Sequence, residues 1–320
     1  MIEKPERRLY LGLDTSAYTT SLAVVDQDER LVFDSRMPLS VQEGSLGLRQ
    51  SEAVFSHIKN LPCLWQNEPE ILKAGSLTAI ASSARPRPVA GSYMPVFKVS
   101  EAFGLFLAQT MGLNYLSSSH QEGHIFAGLW SAGLQAGCYL VIHLSGGTTE
   151  IVSTAEKSPG CLNLNLLGES ADLNAGQFID RLGLAMGLDF PAGPQLEKLA
   201  ESGGQDAIRL PVAVRGKQIS FSGPASQAER LIDQGCRRED LARAIEVCIA
   251  DSLTAAVNHL SRQTDCDYIV LAVGGVMANR FIRKRLQKNL AGRDLFFASP
   301  EYASDNAVGL AVQAARRFKT

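Results

Sequence analysis

The chain has 320 residues, more than a single hydrophobic core usually serves, so the sequence predicts two lobes. Hydrophobic residues make up 45% of the chain and charged residues 20%, as in an ordinary globular protein. A net charge of -2 argues against a strongly basic nucleic-acid binder but leaves room for a local basic patch. No apolar run approaches the roughly 18 residues of a membrane span. The six cysteines form no CxxC pair, so we expect reduced thiols and a cytoplasmic protein without a membrane segment.

Short apolar runs and helical patterns follow one another along the chain. The runs predict strands at Leu9–Leu13, Ser21–Val25, Leu31–Ser35, Leu77–Ala81, Tyr139–Leu144, Glu150–Ser153, Leu162–Leu166, Tyr268–Val273 and Leu295–Ala298. Apolar residues at three- and four-residue steps predict helices at about 50–61, 99–112, 175–187, 241–263 and 306–318. Strands and helices mixed in this way indicate α/β layers.

One strand–turn–strand pattern occurs twice. The stretch LYLGLDTSAYTTSLAVVD and the stretch YLVIHLSGGTTEIVSTA begin about 130 residues apart, close to half the chain. Each has a polar turn between two apolar runs. The repeat predicts two lobes of similar architecture that face each other across a cleft.

The second of these turns contains Gly146 and Gly147 after Ser145. Glycine lets backbone amides approach a ligand closely, and successive amides form a concavity suited to phosphate oxygens. A tight hairpin without a ligand is the alternative.

A strand followed by Gly274-Gly275 predicts a helix that begins near Ala278. There Asn279 would either contact a nucleotide or cap the helix.

Two of the five histidines, His120 and His124, are four residues apart. At that spacing two side chains share one face of a helix and can converge on one metal ion, although ordinary packing would also accommodate them. The metalloprotease pattern H-E-x-x-H places its glutamate directly after the first histidine. Here Gln121 occupies that place and Glu122 points about 100° further round the helix, which disfavours a protease.

Six stretches match motifs of one protein family in the family's order. They are LGLDTS (11–16), SHQEGHI (119–125), HLSGGTTEI (143–151), GESADLNAGQFIDRLGLAMGLDFPAGP (168–194), GGVMANRFIR (274–283) and PEYASDNAVGLA (300–311). Through them the chain resembles the tRNA N6-adenosine threonylcarbamoyltransferase family, TsaD, formerly called O-sialoglycoprotein endopeptidase. That family belongs to the ASKHA superfamily of actin, sugar kinases and Hsp70.

The resemblance implies duplicated ribonuclease H-like lobes around a nucleotide-binding cleft. The first lobe would span 1–135 and the second 136–304, with a final helix at about 305–320 packed back on the first lobe. It implies a divalent metal ion, iron or zinc, bound by His120, His124 and Asp305. It also implies a substrate-binding set, matched residue by residue: His143, Leu144, Ser145, Gly146, Gly147, Asp180, Gly193 and Asn279.

The activity implied is transfer of a threonylcarbamoyl group from its adenylate to N6 of the adenosine next to the tRNA anticodon, with release of AMP. Partners would be tRNA and other proteins of this t6A pathway, in a homo- or heterodimer. Basic clusters such as Arg280–Lys288 can contact phosphates or be solvated helix faces. The sequence assigns no catalytic residue.

The chain departs from the family in its first turn, Thr15–Thr20, where the family reads T-S-C-D-E-T. Both acidic side chains of that pattern are replaced, by Tyr18 and Thr19. The glycine-rich GPGL segment is also replaced by arginines and prolines. The departures indicate a divergent paralogue, and two further functions stay open. One is a catalytically weak or inactive nucleotide-binding partner or regulator. The other is a small-molecule kinase or carbamoyltransferase of the same fold, because fold does not fix function.

Overall fold

The structure, a computed structural model, describes residues 7–41, 48–66, 76–135, 137–212, 214–263 and 269–319. Contacts between residues divide the chain into two compact units. The first contains Met1–Ala136, Ala155–Asn163 and Asp305–Thr320, and the second contains Gly137–Thr154 and Leu164–Ser304. The assignment of the two lobes as domains stays a prediction, because a compact unit need not fold alone.

The elements are numbered in chain order. The strands are β1 Arg8–Thr15, β2 Thr19–Asp26, β3 Leu31–Pro38, β4 Ser76–Arg85, β5 Asn114–Ser119, β6 Tyr139–Leu144, β7 Thr149–Ser158, β8 Cys161–Ser170, β9 Val214–Arg215, β10 Gln218–Ile219, β11 Ile269–Val273 and β12 Leu295–Phe297. The helices are α1 Gln50–Gln66, α2 Phe97–Met111, α3 His120–Ser131, α4 Ala175–Ala185, α5 Gly193–Ala200, α6 Ser222–Asp233, α7 Arg238–Gln263, α8 Arg280–Asn289, α9 Pro300–Ala303 and α10 Val308–Arg317.

The strand order repeats between the two sheets. The first sheet has the order β3-β2-β1-β4-β5, and the second has the order β12-β11-β6-β7-β8-β10-β9. Strand β1 is antiparallel to β2 and parallel to β4, as β6 is antiparallel to β7 and parallel to β11. Part of the second sheet, β8-β7-β6-β11-β12, therefore has the same order as the first sheet. The predicted α/β class and internal repeat are confirmed at the level of topology.

Strand β1 lies at the centre of the first sheet, and every residue after Arg8 is buried. Helices α2 and α10 both contact β1, which explains why the strand reads as a nearly continuous apolar run. Helix α10 is buried from Val308 to Ala315 and also packs against α3. These contacts place the start of α3 and the residues before α10 beside the end of β1.

The structure adds one strand to those predicted, corrects the start of one helix and leaves the start of one strand untested. Strand β5 was not predicted, because its sequence NYLSSS lacks an apolar run. Helix α8 begins at Arg280 rather than near Ala278, since a short 3₁₀ helix, Gly275–Ala278, precedes it. Strand β11 is described only from Ile269, and the predicted first residue, Tyr268, lies outside the described residues. Among the described residues no helix is long and apolar enough to cross a membrane.

Candidate metal centre and glycine turn

The start of α3 is fixed by a capping box. Ser119 precedes the helix in an extended conformation, and its hydroxyl accepts a 3.2 Å hydrogen bond from the Glu122 amide. The Glu122 carboxylate in turn accepts hydrogen bonds from the Ser119 amide at 3.0 Å and from its hydroxyl at 2.7 Å. Such a reciprocal pair satisfies donors that every helix N-terminus leaves open. The box makes His120 the first residue of α3 and places His124 one turn later.

The predicted metal-binding residues come together at this helix start. The Nε2 atoms of His120 and His124 lie 3.1 Å apart. The Oδ1 atom of Asp305 lies 3.5 Å from Nε2 of His120 and 3.3 Å from Nε2 of His124. Asp305 lies three residues before α10, in the first unit with both histidines. Three donor atoms therefore form a nearly equilateral triangle.

The size of the triangle suits a small divalent ion. Ligand atoms about 2.1 Å from a tetrahedral zinc ion are roughly 3.4 Å from one another, close to the three observed separations. Two imidazole nitrogens and a carboxylate oxygen are donors that iron and zinc accept more readily than magnesium does. Three protein ligands also leave a coordination position open, as in catalytic zinc sites. The residues therefore fit the metal that the resemblance implies.

Three further side chains contact the residues of this triangle. The buried Asp14 carboxylate, at the end of β1, accepts a 3.0 Å hydrogen bond from Nδ1 of His120. The Ser16 hydroxyl donates a 2.6 Å hydrogen bond to Oδ2 of Asp305. The Phe97 ring packs against the His120 ring, with ring centroids 5.4 Å apart. Sequence reasoning did not find Asp14 and Ser16 as part of this site, because they precede the residues they contact by 106 and 289 positions.

The charges in the cluster shift its pKa values in opposite directions. Burial alone would lower the pKa of His120, but the carboxylates of Asp14 and Asp305 outweigh it and raise this pKa to about 10. Burial would raise the pKa of Asp305, but hydrogen bonds from both histidines hold it well below its usual range. The triangle without an ion therefore carries a proton that a metal ion must displace.

Glu122 is not placed to act as the base of a metalloprotease. Its Oε2 atom accepts hydrogen bonds from the amide and hydroxyl of Ser119 and from the Ser118 hydroxyl. A carboxylate held by the helix cap in this way cannot activate a water molecule at the histidines without breaking the cap. This geometry agrees with the residue order in arguing against protease chemistry.

The second unit places the glycine turn between β6 and β7. The turn closes with a 2.8 Å hydrogen bond from the Ser145 amide to the Thr148 carbonyl, and both glycines are exposed. The N-terminus of α4 presses against the turn, because a Cβ atom on Gly176 would lie only 2.6 Å from Cα of Gly146. Gly274 approaches from β11 with a φ of +96°, a conformation that favours glycine. Three backbone segments thus converge where strands β6 and β11 end.

The other predicted substrate-binding residues lie in the second unit as well. His143 and Leu144, the last residues of β6, are buried. Asp180 accepts a 2.8 Å hydrogen bond from the Ala192 amide and so holds the turn that leads to Gly193. Burial raises the pKa of Asp180. The substrate roles of all these residues stay predictions.

Asn279 is the N-cap of α8 rather than part of its first turn. Its Oδ1 atom accepts a 2.8 Å hydrogen bond from the Ile282 amide, and its amide group donates a 2.6 Å hydrogen bond to Glu246. Of the two roles that the sequence allowed for Asn279, helix capping is therefore confirmed, and nucleotide contact stays a prediction. Glu246 and its buried ion pair with Arg243 were not found from sequence, because a helix interior gives no signal of a buried carboxylate.

Comparison with solved structures identifies the fold. The structure resembles the HypF protein of T. kodakarensis (TM-score 0.60, 14% identity, 98% of this chain and 48% of that chain). It also resembles component A of the Acidaminococcus fermentans (R)-2-hydroxyglutaryl-CoA dehydratase (TM-score 0.59, 14% identity, 98% of this chain and 99% of that chain). These similarities confirm the predicted ASKHA fold with duplicated ribonuclease H-like lobes.

Comparison with protein sequences identifies the family. The chain is 29% identical over 311 residues to the tRNA N6-adenosine threonylcarbamoyltransferase of Archaeoglobus fulgidus, covering 97% of this chain and 91% of that protein. The sequence model described as TsaD, tRNA N6-adenosine threonylcarbamoyltransferase, matches residues 56–312, most of the chain. The chain therefore belongs to the TsaD family of acyltransferases, as its sequence motifs predicted.

Proposed function

We propose that this chain catalyses metal-dependent transfer of a threonylcarbamoyl group from threonylcarbamoyl-AMP to N6 of the tRNA adenosine next to the anticodon. The observation that carries the proposal is the triangle of His120, His124 and Asp305, with the Asp14 carboxylate behind one histidine. A carboxylate behind a histidine ligand is a common feature of functional metal sites. Membership of the TsaD family supports the reaction.

In this reaction N6 of adenosine attacks the carbamoyl carbon and loses a proton, and the bond from that carbon to the phosphate oxygen breaks to release AMP. Gly146 and Gly147 are exposed at the glycine turn, and their amides can donate hydrogen bonds to phosphate oxygens of the adenylate. A bound zinc or iron ion would polarise the acyl donor and stabilise charge on its oxygen. The role of the three ligands is to hold that ion with one position open.

A catalytically weak binding protein is the second candidate. The observation in its favour is the first turn, where Tyr18 and Thr19 replace the two acidic residues of the family pattern. This protein would bind the nucleotide and form no product. Binding of AMP without formation of modified adenosine, under conditions in which an active family member forms it, would support this alternative.

The partners we propose are tRNA and other proteins of the t6A pathway. Helix α8 presents exposed cationic side chains, Arg280, Lys284 and Lys288, that can contact RNA phosphates. Helices α1 and α2 expose large apolar side chains, among them Phe55 and Phe106, whose exposure is 63% and 71%. Large apolar side chains exposed on neighbouring positions are typical of protein-binding surfaces, so we expect a protein partner to bind these helices.

The proposed reaction is tested by incubating the purified chain with threonylcarbamoyl-AMP, unmodified tRNA and the other pathway proteins. Modified adenosine is then measured by mass spectrometry of digested tRNA. We expect product with the wild type and a loss of more than about 100-fold with His120→Ala, because one ligand of the ion is gone. His259→Ala, which removes a histidine of α7 outside the site, should leave the rate unchanged. Equal rates for wild type and His120→Ala would contradict the proposal.

A further inference from the structure

We propose that three residues outside the ligand set position the metal ligands: Asp14 orients His120, and Ser16, held by the buried His57, orients Asp305. The inference rests on the metal site of the proposed function and goes beyond it, since it assigns a task to the first turn and to His57. The first turn has lost the acidic pair of its family but keeps Ser16 and Thr20 at the matching places.

Asp14 determines which nitrogen of His120 faces the ion. One carboxylate oxygen lies 3.0 Å from Nδ1 of His120, and the other accepts a hydrogen bond from the Ser83 hydroxyl. Asp14 is fully buried in β1, so its position is fixed by the sheet. An Nδ1–H bond to a carboxylate leaves the Nε2 lone pair free to bind metal and makes it more basic.

Ser16 determines which oxygen of Asp305 faces the histidines. Its hydroxyl donates to Oδ2, at 2.6 Å, and Oδ1 is the oxygen that lies 3.3 Å from Nε2 of His124. Asp305 lies in the loop between α9 and α10. The rotation of its carboxylate therefore has to be limited by a neighbouring side chain. The Ser16 hydroxyl, in a residue that is only 1% exposed, provides that limit.

His57 holds Ser16 through a hydrogen-bond chain whose directions can all be assigned. Nε2 of His57 lies 2.8 Å from the Ser16 carbonyl, which can only accept, so Nε2 carries the proton. Burial lowers the pKa of His57 and favours the neutral ring, so Nδ1 carries no proton and accepts from the Thr20 hydroxyl, which lies 2.8 Å away. That hydroxyl accepts in turn from the Asn60 amide at 3.2 Å. A neutral His57 therefore holds the first turn at two points, Ser16 and Thr20.

The chain of contacts explains why a buried histidine lies on α1. His57 is fully buried, and its neutral ring can still use both nitrogens, one as a donor to the Ser16 carbonyl and one as an acceptor from Thr20. A leucine of similar size would fill the space without donating to the Ser16 carbonyl. Ser16 could then shift, and the hydrogen bond to Asp305 would weaken with it.

The test is zinc affinity, measured by competition with a chromogenic chelator on the full-length chain. We expect Asp14→Asn, Ser16→Ala and His57→Leu each to bind zinc about 10–100-fold more weakly than wild type, as is usual for residues that orient metal ligands. His57→Gln keeps a donor near the Ser16 carbonyl and should recover most of the affinity. Thr20→Val removes the hydroxyl without changing the side-chain shape and should weaken binding to a smaller extent.

A second readout separates positioning from general damage to the fold. Two-dimensional ¹⁵N NMR of the histidine rings of the zinc-bound chain should show the Nδ1 proton of His120 in wild type, and an altered Nδ1 signal in Asp14→Asn. The melting temperature identifies any variant that is merely unfolded, and His57→Gln and Thr20→Val remain as milder probes in that case. Ser131→Ala, which removes a hydroxyl from the far end of α3, is the matched control and should bind zinc like wild type.

The possible outcomes distinguish this inference from the proposed function. If His120→Ala abolishes zinc binding while folded Asp14→Asn, Ser16→Ala and His57→Leu bind like wild type, the positioning roles are wrong and the metal site stands. If His120→Ala binds zinc as tightly as wild type, the metal site itself is wrong and the inference falls with it. Weaker binding by the three variants, with recovery in His57→Gln, supports the inference.

Discussion

The side-chain amide of Asn279 donates a 2.6 Å hydrogen bond to the buried carboxylate of Glu246. The second oxygen of that carboxylate accepts a 2.5 Å hydrogen bond from Arg243. Burial raises the pKa of Glu246 from 4.5 to about 7, although Asn279 and Arg243 partly offset this effect. The cap of α8 therefore rests on a carboxylate that changes its charge near neutral pH.

This raised pKa predicts a pH-dependent stability. The folded chain holds the Glu246 proton more tightly than the unfolded chain does, so the stabilisation is complete below about pH 4.5 and is lost as pH rises through 7. Glu246→Gln cannot ionise. Its free energy of unfolding relative to wild type should therefore improve between pH 5 and pH 8, by up to about 3 kcal/mol. Urea unfolding at both pH values measures the difference, and exposed Glu156→Gln should show none. A pH-independent difference for Glu246→Gln would contradict the raised pKa.

The capping role of Asn279 predicts different stabilities for two substitutions. Serine keeps an oxygen that can accept from the Ile282 amide, whereas alanine does not, and both lose the hydrogen bond to Glu246. We expect Asn279→Ala to be less stable than Asn279→Ser by about 1 kcal/mol in urea unfolding. Equal stability of the two variants would mean that the cap is unimportant.

The close approach of α4 to the glycine turn predicts a steric effect on nucleotide binding. In Gly176→Ala the new Cβ atom would meet backbone of Ser145 and Gly146 at 2.6–2.9 Å, so the turn has to move. Overpacking of this kind costs about 1–3 kcal/mol, so we expect AMP affinity by calorimetry to fall about 5–150-fold. Gly137→Ala, whose Cβ atom would meet only Tyr139 at 3.4 Å, is the control. Unchanged AMP affinity in Gly176→Ala would exclude the turn as a binding element.

The basic face of α8 predicts a salt-dependent effect on tRNA binding. Arg285 is paired with Asp251, whereas Lys284 and Lys288 are exposed. If both lysines contact phosphates, Lys284→Glu/Lys288→Glu should weaken tRNA binding and reduce the slope of log affinity against log salt by about 2. Lys157→Glu, an exposed charge reversal in β7, should change neither. A double variant with the wild-type salt slope would show that tRNA does not bind this face.

Sequence alone predicted the repeated fold well, but it did not predict the hydrogen bonds that surround the candidate metal ligands. Apolar runs and helical spacing located β1, β6 and α10, because burial on both faces leaves a visible pattern. The four-residue spacing of His120 and His124 indicated a shared face, but Asp305 entered only through the family resemblance. The roles of Asp14 and His57 could not be predicted, because each depends on a partner that the fold, not the local sequence, brings near.

The most direct test of the central claim is the metal dependence of threonylcarbamoyl transfer. The purified chain, its partner proteins, threonylcarbamoyl-AMP and tRNA are assayed after chelation of all metal, and again after stepwise addition of zinc or ferrous iron. We predict no modified adenosine without metal and full recovery at one ion per chain, with no recovery in His120→Ala. Undiminished product formation by the metal-free wild type would contradict the account.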